Sequence, residues 1–120
     1  MKVTIYHNPR CSKSKQTLQL IEQKGIKPTI IEYLKTPPQV EQIDEFLKSL
    51  AMQPRDLMRK NEDEYKENNV ADESLSHQQL LAVMFNHPKL IQRPIVVVES
   101  AQQTRVALGR PPENVLKILS

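Results

Sequence analysis

The stretch KVTIYHNPRCSKSKQTLQLIEQKG, residues 2–25, carries the chain's only cysteine and decides how the first third of the molecule folds. Val3, Ile5 and their neighbours read as a strand over residues 2–6. A helix from about Ser12 to Lys24 follows, and Gly25 suits the left-handed position that closes a helix. Thr29-Ile30-Ile31-Glu32-Tyr33-Leu34 is a second short β-rich run. Two strands joined by a helix form a βαβ unit, parallel and right-handed by strong preference.

Working outward, prolines punctuate the rest. Nine occur in all, clustered at Thr36-Pro37-Pro38, Arg93-Pro94 and Arg110-Pro111-Pro112. Thr36-Pro37-Pro38-Gln39 fits a capping box with proline at the first helical position, after which Val40, Ile43, Phe46, Leu47 and Leu50 share a face. A further helix is predicted from Pro54 to about Glu67. Ser76-His77-Gln78-Gln79 repeats the capping pattern ahead of Leu80, Leu81, Met84 and Phe85, and Pro88 stops that helix. Ile95-Val96-Val97-Val98 reads as a strand buried on both faces, joined by a polar turn near Ser100–Gln103 to Thr104–Leu108 in an antiparallel hairpin. Pro111-Pro112-Glu113 opens a last helix with Val115, Ile118 and Leu119 facing inward. The predicted fold class is α/β: a thioredoxin-like βαβ–ββα sheet with a helical insertion, about residues 39–90, between its two halves. Residues 1–120 are expected to form a single domain of this kind.

At 120 residues the chain has the length of one domain and buries roughly two-thirds of its unfolded surface, enough for a core without staples. One cysteine excludes an intramolecular disulfide, and neither an apolar leader nor a run of about 18 apolar residues is present. The expected location is therefore cytoplasmic. Seventeen basic against 14 acidic residues give a net charge of +3, too balanced for a dedicated nucleic-acid binder. His77 and His87 read as surface or capping residues, and no Cys/His/carboxylate spacing points to a metal.

A lone cysteine is commonly a small core residue. Cys11 has a different setting, between a strand and the start of a helix, where free N–H groups and the helix dipole favour an anion. Arg10, Lys13 and Lys15 add positive charge, and His7 lies across the loop. These surroundings are expected to lower a thiol pKa from its ordinary value of about 8.5, and the same N–H groups can hold an oxyanion. Position 14 is serine, so Cys-x-x-Cys is absent; position 17 is threonine, so the Cys-x5-Arg loop of tyrosine phosphatases is absent too. Cys-x-x-Ser matches the monothiol glutaredoxin motif. In any redox version a second thiol has to come from another molecule.

The fragments TIYHNPRCSKS, LMRKNEDEYKE, HPKLIQRPIVV and RVALGRPPENVL, in this order over essentially all 120 residues, closely resemble the glutaredoxin-coupled arsenate reductases, in particular their shorter chromosomal branch. The resemblance implies an oxidoreductase that detoxifies arsenic with no bound cofactor. In it the thiolate of Cys11 attacks arsenate, while Arg59, Arg93 and Arg110 hold the oxyanion. Glutathione, as co-substrate, and glutaredoxin, as partner, resolve the adduct and arsenite is released. His7 and Ser14 match loop positions implicated in stabilising the thiolate. The loop departs from plasmid-type relatives in carrying Arg10 and Lys13 where small residues occur there.

Each arginine also has a plain alternative. Arg59 falls in a predicted charged helix, where solvated cations are ordinary. Arg93 precedes a proline that enters a strand; in thioredoxin-like folds that proline is typically cis and faces the active cysteine. Arg110 opens the last helix, where the dipole disfavours a cation, so it calls for another reason. Arg105, in the preceding strand, is its nearest competitor. Two further readings stay open: a Spx-type redox regulator binding RNA polymerase, and a monothiol glutaredoxin-like protein carrying glutathione or an iron–sulfur cluster. Three arginines at the oxyanion positions speak against the first, and arginine before Pro94 suits an inorganic anion better than a glutathione backbone.

Overall fold

The computed structural model describes residues 1–119 and divides the chain into two compact units, residues 1–36 with 93–120 and residues 37–92. The first unit holds a four-stranded mixed sheet in the order β2-β1-β3-β4, built from β1 (Lys2–His7), β2 (Thr29–Glu32), β3 (Ile95–Glu99) and β4 (Thr104–Leu108). β2 runs parallel to β1 with Ile5 opposite Ile30, and β3 runs antiparallel to both β1 and β4. This order explains the burial. The central strands β1 and β3 are almost wholly buried, whereas the edge strand β2 is largely exposed. Val97 and its neighbours do form the two-sided strand expected of an unbroken apolar run.

The crossover between the parallel strands β1 and β2 is α1 (Ser12–Gln23). Gly25 adopts φ +76 and its N–H bonds the carbonyl of Glu22, closing the helix as its position in sequence indicates. A seven-residue 3-10 helix, Pro112–Ile118, packs against α1. Together they cover one face of the sheet with Ile21, Val115 and Leu119 on Val3, Ile5, Val96, Val98 and Ala107. That core fixes the height of the β1–α1 junction, where Cys11 sits.

The second unit is helical: α2 (Val40–Leu50), α3 (Asp63–Glu67) and α4 (His77–Asn86), with 3-10 turns at Pro54–Leu57 and Pro88–Leu90. α2 and α4 pack together, with Ile43, Phe46 and Leu47 buried on one and Leu80, Leu81 and Met84 on the other. The Ser76–Gln79 capping box forms as predicted, Ser76 Oγ accepting the Gln79 N–H at 3.1 Å. The box expected at Thr36 does not; Gln39 caps α2, its N–H donating to Gln42 Oε1 at 2.8 Å. A residue before proline is disfavoured in helical conformation, so Pro37 cannot open a helix ahead of Pro38.

The single helix expected over 54–67 is also replaced. After Leu57 the chain extends at Met58 (φ −101, ψ 148), which bridges Ile91. The N–H of Arg59 donates to Leu90 O at 2.6 Å and that of Gln92 to Leu57 O at 2.8 Å. Pairing across more than thirty residues outweighs local helix propensity here. Among the described residues no helix is long and apolar enough to cross a membrane.

Candidate active site

The site is built from the loop after β1. Asn8 is its hub. Its carbonyl accepts the Cys11 N–H at 3.0 Å, its Oδ1 accepts the Arg10 N–H at 2.9 Å, and its own N–H donates to Ser14 Oγ at 3.0 Å. Ser14 Oγ also lies 2.6 Å from His7 Nδ1, in a pair buried from solvent. These bonds turn the chain so that Cys11 becomes the N-cap of α1, in extended conformation (φ −96, ψ 123), and is half-buried.

Burial raises the Cys11 pKa. The backbone N–H of Ser14, the guanidinium of Arg93 and the backbone N–H of Lys13 outweigh it and hold the thiol below its ordinary value. The same N–H groups of the first turn are the kind of donors that stabilise an anion at a helix start. The direction agrees with the sequence expectation, and so does one expected cause, the N–H groups at the helix start; the expected side-chain cations are a different matter. The side-chain charges of Arg10 and Lys13, and His7, are not among the groups that act on the thiol. The His7 pKa is itself pushed down, by burial first and by Lys15 in addition, against the opposing effect of Glu32; the net shift favours a neutral ring.

Arg93 and Arg110 come from two segments stitched together. The Arg93–Pro94 peptide is cis, as is Arg110–Pro111. The Gly109 N–H donates to Pro94 O at 2.9 Å, and the Arg110 side chain donates through Nη1 to Arg93 O at 3.3 Å. Asn114 Nδ2 donates to Arg110 O at 3.1 Å and steadies the turn. Arg93 is half-buried, and its Nε is buried without a hydrogen-bond partner among the described residues. Arg110 is exposed. Arg105 lies on β4 opposite Val98. Arg59 belongs to the helical unit, in the turn that replaces the predicted helix, with Nε donating to Glu62 Oε1 at 3.1 Å. His77 bonds Asp44 at 2.8 Å and His87 caps α4, in keeping with surface and capping roles. Among the described residues no group of three or more His, Cys, Asp or Glu is placed to hold a metal ion.

Sequence reasoning passed over Asn8, Asn114 and Gly109. For Gly109 a signal existed, since the chain has only two glycines. A Cβ there would lie 2.5 Å from Thr17 Oγ1 and 2.7 Å from Pro94 Cγ. Gly109→Ala is therefore expected to cost about 1–3 kcal/mol, the usual toll of overpacking, by forcing α1 away from the Pro94 turn. Denaturant unfolding at an unchanged m-value measures it, and an unaltered midpoint would show that the contact relaxes freely.

A four-stranded mixed sheet with a cysteine at the start of the crossover helix, near an arginine on a cis-proline turn, defines the class: proteins of thioredoxin-like fold. The family follows from comparison. The ArsC family model matches residues 6–118, and the chain belongs to the ArsC family. It is 42% identical over 117 residues to an Escherichia coli arsenate reductase, covering 98% of this chain and 80% of that one. It is 48% identical over 119 residues to the uncharacterized protein YfgD of Escherichia coli K12, covering 98% and 97%. Among solved structures, the arsenate reductase of Vibrio cholerae superposes with a TM-score of 0.88 at 50% identity, over 98% of each chain.

Proposed function

We propose that this protein is a cytoplasmic arsenate reductase, its two units forming one functional domain, and that Cys11 is its nucleophile. The observation that carries the reading is the pairing of a depressed thiol with Arg93, whose buried Nε–H has no acceptor among the described residues. A buried donor without a partner is costly, and an oxyanion oxygen supplies one. Arg110, turned onto the Arg93 backbone, and the first-turn amides of α1 extend the same positive field. Arg59 is assigned to the oxyanion by its place in LMRKN alone. The similarity to arsenate reductases at 42% and 50% identity supports arsenate as the anion.

The Cys11 thiolate attacks arsenic(V), forming a sulfur–arsenic bond as one arsenate oxygen leaves as water. Glutathione adds its sulfur to the same arsenic with loss of a second water. A glutaredoxin thiolate then attacks the glutathione sulfur. The electron pair of that sulfur–arsenic bond stays on arsenic, which becomes arsenic(III), and hydrolysis of the remaining bond frees arsenite and Cys11. A chain with one cysteine cannot supply the second and third sulfurs itself. His7 and Ser14 hold the loop shape behind the thiolate.

The test is arsenite formation from arsenate, with glutathione and glutaredoxin added together or omitted singly. Full activity needs both, and absence of arsenite under every combination would remove arsenate as substrate. Arg110→Ala is expected to lower kcat/KM roughly ten- to hundredfold, matching about 1.5–3 kcal/mol for a charge-assisted bond, while Arg105→Ala costs little. Equal losses at both would show that the wrong arginine was assigned.

A further inference from the structure

Of the three arginines assigned to the oxyanion, one is already held by a carboxylate. Among the described residues the ion pairs include Arg59, whose Nε donates to Glu62 Oε1 at 3.1 Å, but neither Arg93 nor Arg110. Side-chain exposures of 26% and 28% keep the Arg59–Glu62 contact partly out of water. The backbone builds the pairing. The Arg59 N–H is anchored on Leu90 O at 2.6 Å, and the Glu62 N–H donates to Arg59 O at 3.3 Å, so both side chains leave one turn together.

Local stability does not account for where Glu62 points. It is the N-cap of α3, where a side-chain oxygen can accept a first-turn N–H, yet its carboxylate makes no cap bond. Asp63 and Glu64 already supply the negative charge that a helix start favours. A part-exposed ion pair three residues apart adds little to folding. We infer that Glu62 is a placeholder for the oxyanion: it holds Arg59 in the resting protein and opposes substrate there, a positioning residue that sets how much oxyanion the site requires. This rests on the assignment of Arg59 to the oxyanion under the proposed function. An oxyanion that takes the Nε edge of Arg59 displaces Glu62 directly. One that takes the Nη groups sits a guanidinium's width from a carboxylate and is repelled by it. Either way the charge of Glu62 opposes the anion. Arsenite, the proposed product, is uncharged near neutral pH, so Glu62 takes Arg59 back without competition.

The test compares the full chain with Glu62→Gln, Glu62→Asp, Arg59→Ala and the double variant of Arg59→Ala with Glu62→Gln. Oxyanion binding is read without turnover, as protection of Cys11 from iodoacetamide by sulfate and by arsenate at constant ionic strength. KM for arsenate is read separately, with glutathione and glutaredoxin present. Glu62→Gln keeps the shape and removes the charge. The anion concentration for half-protection and the KM are each expected to fall roughly two- to fivefold, the reach of a part-exposed ion pair, with the change in KM and not in kcat. Glu62→Asp keeps the charge and is expected to stay near the unsubstituted protein. With Arg59→Ala in place, Glu62→Gln is expected to lose most of its effect, because the pair it breaks is gone. Unchanged or weaker binding in Glu62→Gln, the same gain without Arg59, or no protection by either oxyanion would overturn the inference. Tighter sulfate protection without arsenite formation removes arsenate alone; arsenite formation with KM unmoved in Glu62→Gln removes the placeholder alone.

Discussion

Cys11→Ser is expected to abolish arsenate reduction, by on the order of 10³-fold or more, the scale on which removal of a covalent nucleophile acts. The substitution is nearly isosteric. The bonds that shape the loop, from the Cys11 N–H to Asn8 O and from the Lys15 N–H to Cys11 O, both belong to the backbone and survive it. A serine hydroxyl at the same N-cap is expected to accept the first-turn amides more closely than sulfur does, so stability should hold or rise. What disappears is an anion near neutral pH, since the field that suffices for a thiol is far too weak for an alcohol. Arsenite formation and a circular dichroism spectrum on the same sample check both halves. Near-wild-type activity with a native spectrum would take Cys11 out of the mechanism.

Arg93→Ala should have the next largest effect, and it should show in two independent quantities. Substrate oxyanion loses a charge-assisted contact in a poorly solvated position, worth about 1.5–3 kcal/mol, so kcat/KM for arsenate falls roughly ten- to hundredfold. Separately, the thiol loses the guanidinium that favours its anion, and its pKa moves up toward the ordinary range. The rate of iodoacetamide alkylation against pH reports this without any substrate: its midpoint should shift to higher pH in Arg93→Ala. Arg93→Lys should recover part of the alkylation shift, because charge is kept, and less of the arsenate effect, because the planar fork is lost. Full arsenate activity in Arg93→Ala would end the case for an oxyanion site beside Cys11.

Much of this molecule is written locally. The β1–α1–β2 unit, the Ser76 capping box, the 95–108 hairpin and the stop at Gly25 each depend on residues within a few positions of one another, where periodicity, caps and left-handed glycine speak directly. Cys11 was legible for the same reason, since a thiol between a strand and a helix start meets amides belonging to its own segment. The departures lie where distant chain decides. Met58 leaves the predicted helix because Ile91 offers it a bridge, and Arg59 is then found in a turn beside Glu62. Loop cations adjacent in sequence to Cys11 do not lower its pKa; Arg93, more than eighty residues away, does. Neighbours in sequence share a backbone but not the direction of their side chains, and only packing determines which guanidinium faces the sulfur. Gly109 shows the same limit, its missing side chain intelligible only once Thr17 and Pro94 are seen closing on it from two other segments.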